Sequence, residues 1–213
     1  MTINVIPRDG TVNGKTLKEY IIEFWQAICS IPKEDNPAWQ NNGSKDESFN
    51  NNVKADLYML SFSQDPQTAQ TRKIEVPNGK GLFIPVMSVE VSECETSLPL
   101  VEAAKKDQES IDPSTLSIKL DDSSIDLSAY EFDPKEIDQF HVNFPSSKDA
   151  IFKINNSLDT CNAVAAGRYV WTEALSPGEY TVYYSGALQC ASAKECIETN
   201  YSENITYKIR VTP

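Results

Sequence analysis

Near the start of the chain the apolar positions fall at helical spacing. Leu17, Tyr20, Ile21, Phe24, Trp25 and Ile28 recur at offsets of 3, 4, 7, 8 and 11, one continuous stripe down a helix. Thr16 stands before the stripe with Glu19 three residues on, the reciprocal pattern of a capping box, and Pro32 bounds the far side. The spacing predicts an amphipathic helix from Thr16 to about Cys29 that covers a sheet face, its aromatics facing the core. From Pro37 to Asn52 the periodicity disappears into Asn, Ser, Gly, Asp and Lys, which predicts a long surface loop containing Trp39.

Strand patterns dominate afterwards. Asp56 to Phe62 is a short apolar run, Arg72 to Val76 alternates, and Gly81 to Val91 is strongly apolar. The turn Pro77-Asn78-Gly79 between the last two predicts a hairpin. Pro99 opens a second helix running to about Gln108. Leu116 to Leu120 and Ile125 to Leu127 flank Asp121-Asp122-Ser123-Ser124, a further hairpin. Phe140 to Phe144, Ala150 to Ile154, Arg168 to Thr172, Glu179 to Ser185 and Tyr201 to Val211 follow at the spacing of a sandwich. Within Tyr180-Thr181-Val182-Tyr183-Tyr184, alternation sends Tyr180, Val182 and Tyr184 to one face. The pattern predicts a mainly β protein. Its expected form is an antiparallel β-sandwich, jelly-roll or immunoglobulin-like, with an N-terminal amphipathic helix and a second short helix. Residues 1–213 read as one β-rich domain, the weakest join lying near 110–113.

Composition narrows the classes of partner. The 213 residues are 40% hydrophobic and 23% charged, as in a globular protein. Nineteen Lys plus Arg against 31 Asp plus Glu leave a net charge of −12 with no basic cluster. Nucleic acid and anionic membrane surfaces are therefore disfavoured. No apolar run is long enough to span a membrane, so membrane insertion is not expected. The opening Met1 to Pro7 lacks the basic start and apolar stretch of a signal peptide. That leaves two readings, an intracellular protein or a chain that begins after a cleavage site.

Of five cysteines, Cys190 and Cys196 bracket a small polar loop and form a candidate disulfide, the alternative being two reduced thiols. Asn42, Asn155 and Asn204 head Asn-x-Ser/Thr triplets. There is no Cys-x-x-Cys or His/Cys cluster of the kind that builds a zinc site.

Several segments, in order, resemble an uncharacterised family of mostly secreted or surface proteins of bacteria and archaea. They are Gly14-Lys15-Thr16, Phe24-Trp25-Gln26-Ala27-Ile28 with Ser30-Ile31-Pro32, Asn36-Pro37, Val76 through Pro85 with Glu90, and Leu175 through Thr181. Members of that family have a tryptophan-richer first helix and usually an export signal, neither of which stands here. The resemblance implies an extracellular or cell-surface β-rich domain and supplies no catalytic residue.

The chemistry on offer is sparse. The single histidine, His141, sits in a strand-like alternation, without the Gly-x-Ser-x-Gly elbow or activated thiol a nucleophilic triad needs. Glu90, Glu93 and Glu95 cluster after a buried-looking strand, and Glu90 with Glu173 is the pair of carboxylates a hydrolase would use. Asp121, Asp122, Ser123 and Asp126 make an oxygen-rich loop, so calcium is the one cofactor the pattern admits, against a plain solvated turn. Phosphate-cradling glycine motifs are absent. These features favour a non-catalytic secreted or surface module that binds a glycan or protein partner through Trp39, Trp171, Tyr183 and Tyr184, each of which has core packing as its alternative. The rivals are a carboxylate-dependent hydrolase around Glu90 and a structural subunit of a surface layer or particle.

Overall fold

In a computed structural model that describes residues 3–40, 42–64, 69–146, 149–152, 160–189 and 201–213, the chain opens with a small antiparallel hairpin. Its strands are β1 (Thr11–Val12) and β2 (Lys15–Thr16), turned at Asn13 and Gly14 with φ of 50 and 81°. The hairpin delivers Thr16 to the head of helix α1 (Leu17–Cys29). The Thr16 hydroxyl accepts from the Glu19 N–H, and the Glu19 carboxylate accepts from the Thr16 N–H at 2.7 Å. All six stripe residues and Cys29 are buried. The far end is closed by the buried Asn36, whose amide donates to the carbonyls of Ile28 and Ile31.

The expected loop from Pro37 to Asn52 is corrected: it contains a 3-10 turn, Pro37–Trp39, and helix α2 (Asp46–Val53). Asp46 and Glu47 occupy the first turn, where the helix dipole favours anions, and Lys54 ends the helix in the left-handed region at φ 55°. Phe49 is the only large apolar side chain this helix buries, so no stripe announced it.

Strands β3 (Tyr58–Met59), β4 (Gln70–Pro77) and β5 (Leu82–Ser92) come next, then helix α3 (Leu100–Glu109). The remainder is β6 (Ser117–Leu120), β7 (Ser123–Ser124), β8 (Glu131–Phe132), β9 (Phe140–Asn143), β10 (Thr160–Trp171), β11 (Gly178–Ala187) and β12 (Ser202–Thr212). One five-stranded sheet runs β3-β5-β10-β8, with β9 also on β10; the other runs β4-β12-β11-β6-β7. The fold is mainly β. The expectation of purely antiparallel sheets is corrected at two places, since β3 runs parallel to β5 and β4 parallel to β12.

The hairpin expected across Pro77-Asn78-Gly79 does not form. The turn is present, with Gly79 at φ +82°, but it carries the chain from one sheet to the other, β4 pairing with β12 and β5 with β10. The burial patterns give the reason. β4 alternates strictly and has one inward face, whereas β5 is buried on both faces and needs covering on each. The hairpin at Asp121-Asp122 does form and is tighter than expected, because Leu120 pairs directly with Ser123 and Asp121 takes φ +52°. Residues 150–152 carry no strand. The segment from Arg168 is only the end of the long strand β10, whose first half is rich in small residues.

One hydrophobic core draws residues from Ile3 to Val211, including α1, both sheets and the Phe24, Trp25, Phe62 and Phe83 rings. α3 covers a separate patch on the other face of β5 and β10 through Ala103, Ala104, Val91 and Val164. A buried disulfide joins Cys94, just past β5, to Cys161 in β10. The expected pair Cys190 and Cys196 lies outside the described residues, as does Asn155.

Candidate functional site

The register of β5 on β10 sets Glu90 opposite Ala165, with Ser92 opposite Ala163 and Ser88 opposite Gly167. Directly opposed residues share a face, and small partners leave room above them. The second half of α1 fills that room, bringing Trp25 and Cys29 down onto Glu90, whose Oε2 lies 4.0 Å from the Cys29 Sγ. β3 borders β5 only as far as Phe83, and no other described strand flanks β5 on that side. A pocket opens there, lined from both faces of β5 by Met87, Ser88, Val89 and Glu90. Glu95, Asp107 of α3 and Glu203 of β12 add carboxyls, and Trp25, Phe62 and Phe152 form an apolar wall. It offers about 80 Å³ of room, enough for several waters or the end of one side chain.

Three of these carboxyls are buried, Glu90 at 7% exposed, Glu95 at 5% and Glu203 at 4%. Burial pushes Glu90 well above the usual carboxylate range, and the neighbouring Glu95 adds to the effect. Glu90 and Glu95 are hydrogen-bonded to each other, which raises Glu90 further and lowers Glu95. Glu95 is itself pushed up to about 7 by burial, held back by the Ser92 hydroxyl and N–H donating to it at 2.6 and 3.1 Å. Burial takes Glu203 to about 8, against hydrogen bonds from the Ser63 backbone and the Tyr201 hydroxyl. The Cys29 thiol is likewise driven up by burial, then by Glu90, and is no nucleophile. Four buried side-chain nitrogen or oxygen atoms lack a hydrogen-bond partner among the described residues, and Glu90 Oε1 is the one that belongs to a carboxyl group.

A second buried charge cluster is built differently. Arg72, fully buried on β4, donates from all three guanidinium nitrogens, to Ser61 (carbonyl and hydroxyl), the Tyr207 hydroxyl, the carbonyls of Gln40 and Phe62, and the Gln70 amide oxygen. Asp46, at the head of α2, accepts from Gln40, from Ser61 Oγ at 3.2 Å and from Tyr207 at 3.1 Å. Burial raises Asp46 to about 6, Arg72 and those donors opposing it.

No family model and no curated protein sequence matches the chain. One solved structure aligns over 74% of this chain and 100% of its own, the "Structure of PbICP-C in complex with falcipain-2", at 9% identity and a TM-score of 0.28. At that score it carries no argument about fold or partner.

The residues singled out in the sequence are scattered. Trp171 and Tyr184 are wholly buried, the indole N–H on the Pro7 carbonyl and the phenol on the Ser61 carbonyl, so neither offers a surface to a ligand. Trp39 is half-buried with Lys33 Nζ 3.6 Å over its ring, and Tyr183 is half-buried on the outer face of β11. Glu173 is exposed and accepts from Asn4; it follows the partner of Glu90 on β10 by eight residues, roughly 26 Å along an extended chain. The two share no cleft. Asp121 accepts from the Thr181 N–H, and Asp126 caps the 3-10 turn Leu127–Tyr130 by accepting from Ser128. Among the described residues no group of three or more acidic, His or Cys side chains is placed to hold a metal ion. His141 is exposed on β9. Glu203 and Arg72 were missed, although a signal existed: each puts a charged residue into an inward register that continues apolar or aromatic, Tyr201-x-Glu203-x-Ile205-x-Tyr207 and Arg72-x-Ile74-x-Val76.

Proposed function

We propose that this protein is a non-catalytic binding module for a protein partner and that the partner engages the acidic pocket beside β5. The observation that carries the reading is Glu90 Oε1, a buried acceptor without a hydrogen-bond partner on a residue that lines the pocket. A net charge of −12 favours a basic partner and speeds its approach, and two further buried carboxyls stand ready to give up their protons to a cation. The two sheets are read as halves of an open sandwich. The buried Cys94–Cys161 disulfide supports an extracellular or cell-surface setting, where such bonds persist.

A glycan is the weaker ligand. The pocket is too small for a sugar ring with its hydroxyl contacts, and two of the four aromatics considered for stacking are in the core. Against the hydrolase stands the hydrogen bond between Glu90 and Glu95. Catalytic carboxyls on either side of a glycosidic bond stand about 5 to 9.5 Å apart, not in contact.

The test is a peptide array of mixed charge and a glycan array, both probed with the labelled full chain. Capture by basic peptides, lost in Glu203→Gln, is the expected outcome. Glycan capture without peptide capture, or turnover of a chromogenic glycoside abolished by Glu90→Gln, would overturn it.

A further inference from the structure

We infer that the pocket holds a primary ammonium group on an aliphatic stem, as a lysine side chain presents it. The inference rests on the reading of this pocket as the partner's site and names the group it recognises.

The acceptor geometry selects the cation. Glu90 Oε1 is a single buried oxygen that lacks a donor. Glu95 Oε2 already receives two hydrogen bonds from Ser92, and Glu203 receives them from Ser63 and Tyr201. No carboxylate therefore presents two free oxygens side by side, the arrangement a planar guanidinium fork requires. Acceptors dispersed around a small volume suit a compact ammonium with three divergent N–H bonds. A quaternary ammonium fits the aromatic wall but brings no N–H to the orphaned oxygen, so its contact with Glu90 leaves that oxygen as costly as before.

The walls select the stem. Trp25 and Phe62 lie 5.5 Å apart and Trp25 and Phe152 6.3 Å apart between ring centroids, an apolar side to a pocket whose other side is acidic. Methylenes against these rings and a charge near the Trp25 face gain both dispersion and cation–π attraction. The room of about 80 Å³ takes the end of one such side chain and excludes a bulkier head. Asp107, half-buried on α3, lies at the rim and extends the negative potential outward.

The experiment is isothermal titration of the full chain with n-butylammonium chloride at fixed ionic strength, beside n-butanol, tetramethylammonium and n-butylguanidinium. A saturable one-to-one heat is expected for n-butylammonium, with about tenfold weaker binding or none for the other three. With the titration run above pH 8, where Glu203 carries its charge, Glu203→Gln removes that charge while keeping the shape, and Glu90→Leu removes the orphaned acceptor; each is expected to weaken n-butylammonium about tenfold. Thermal melting checks that both variants fold, and Glu203→Gln alone decides should Glu90→Leu not fold. Equal affinity for n-butanol, tighter binding of tetramethylammonium or n-butylguanidinium, affinity unchanged in the folded variants, or no saturable heat would each overturn the inference. Silence from the amine alongside pocket-dependent peptide capture removes the ammonium and leaves the protein-partner reading standing. Amine binding without any peptide captured does the reverse.

Discussion

Among the described residues the protein buries ionisable side chains in two places and treats them in opposite ways. Around Arg72 every guanidinium nitrogen is spent on an oxygen of the chain itself, and Asp46 supplies the countercharge through Ser61 and Tyr207. Around Glu90 three acids crowd together with no cation among the described residues that line the pocket, and one oxygen is left over. A closed network of this kind ties loop, helix and two strands into one arrangement. An open one leaves electrostatic attraction in reserve for something outside the chain. The contrast is between a closed structural network and the open one to which we assign the proposed binding.

The largest expected effect is on the closed network. Arg72→Met leaves Asp46 buried without countercharge and is expected to cost about 3–5 kcal/mol in urea unfolding; a loss below about 1 kcal/mol would erase the contrast. Pairing it with Asp46→Leu removes both charges and should recover part of that loss.

Next comes the disulfide, which closes 67 residues of sequence and anchors the segment carrying Glu95. Replacing Cys94 and Cys161 together by Ala is expected to cost about 2–4 kcal/mol. Hydrogen exchange in this variant should rise around Ser92 to Glu95 more than around Arg72. Equal loosening at both places would argue that the pocket is no more independent than the network.

A smaller effect appears with pH. Glu95 and Glu203 have folded-state values raised above their unfolded 4.5, to about 7 and about 8. Between those limits the folded chain holds more protons than the unfolded one, so stability is present at acid pH and is lost as pH rises through about 8. Asp46, raised to about 6, acts with the same sign over a lower window. Asp107 and Tyr201 also line the pocket, Cys29 lies against Glu90, and Arg72 lowers Glu203 without cancelling its rise. The thermal midpoint should therefore rise on going from pH 8.5 to 5.5, and Glu203→Gln should flatten that rise. A midpoint that falls over this range in the parent protein defeats the assignment.

The smallest effect is expected at Glu90. Replacing it with Leu removes an unsatisfied buried polar group in exchange for an apolar one of similar size, a change expected to stay within about 1 kcal/mol of neutral. Near-neutrality here beside a severe loss at Arg72 is the sharpest form of the contrast.

What the sequence disclosed follows the kind of force involved. α1 was legible because six apolar side chains at one spacing face one core, and β11 because its alternation survives in the burial of Tyr180, Val182 and Tyr184. α2 was not, since a helix held by a first-turn carboxylate network and one phenylalanine leaves no periodic mark. The partner of β5 was misread because the Asn78-Gly79 turn reports local geometry and says nothing about which strand comes alongside. Of the pocket, Glu90 and Glu95 stood out as neighbours after an apolar run, but their closeness to Glu203 is a matter of tertiary packing. Cys94 and Cys161 carry no spacing signal at all.

The parallel pairing of β4 with β12 has a consequence for how the chain is made. Arg72 and Tyr207 are 135 residues apart, and among the described strands β4 pairs with β12 alone. As the ribosome works from one end to the other, β4 and its buried arginine must wait for more than a hundred further residues before β12 arrives to receive them. Such distant pairing makes folding slow relative to stability, and it leaves an eight-residue strand edge open to a neighbouring chain in the interval.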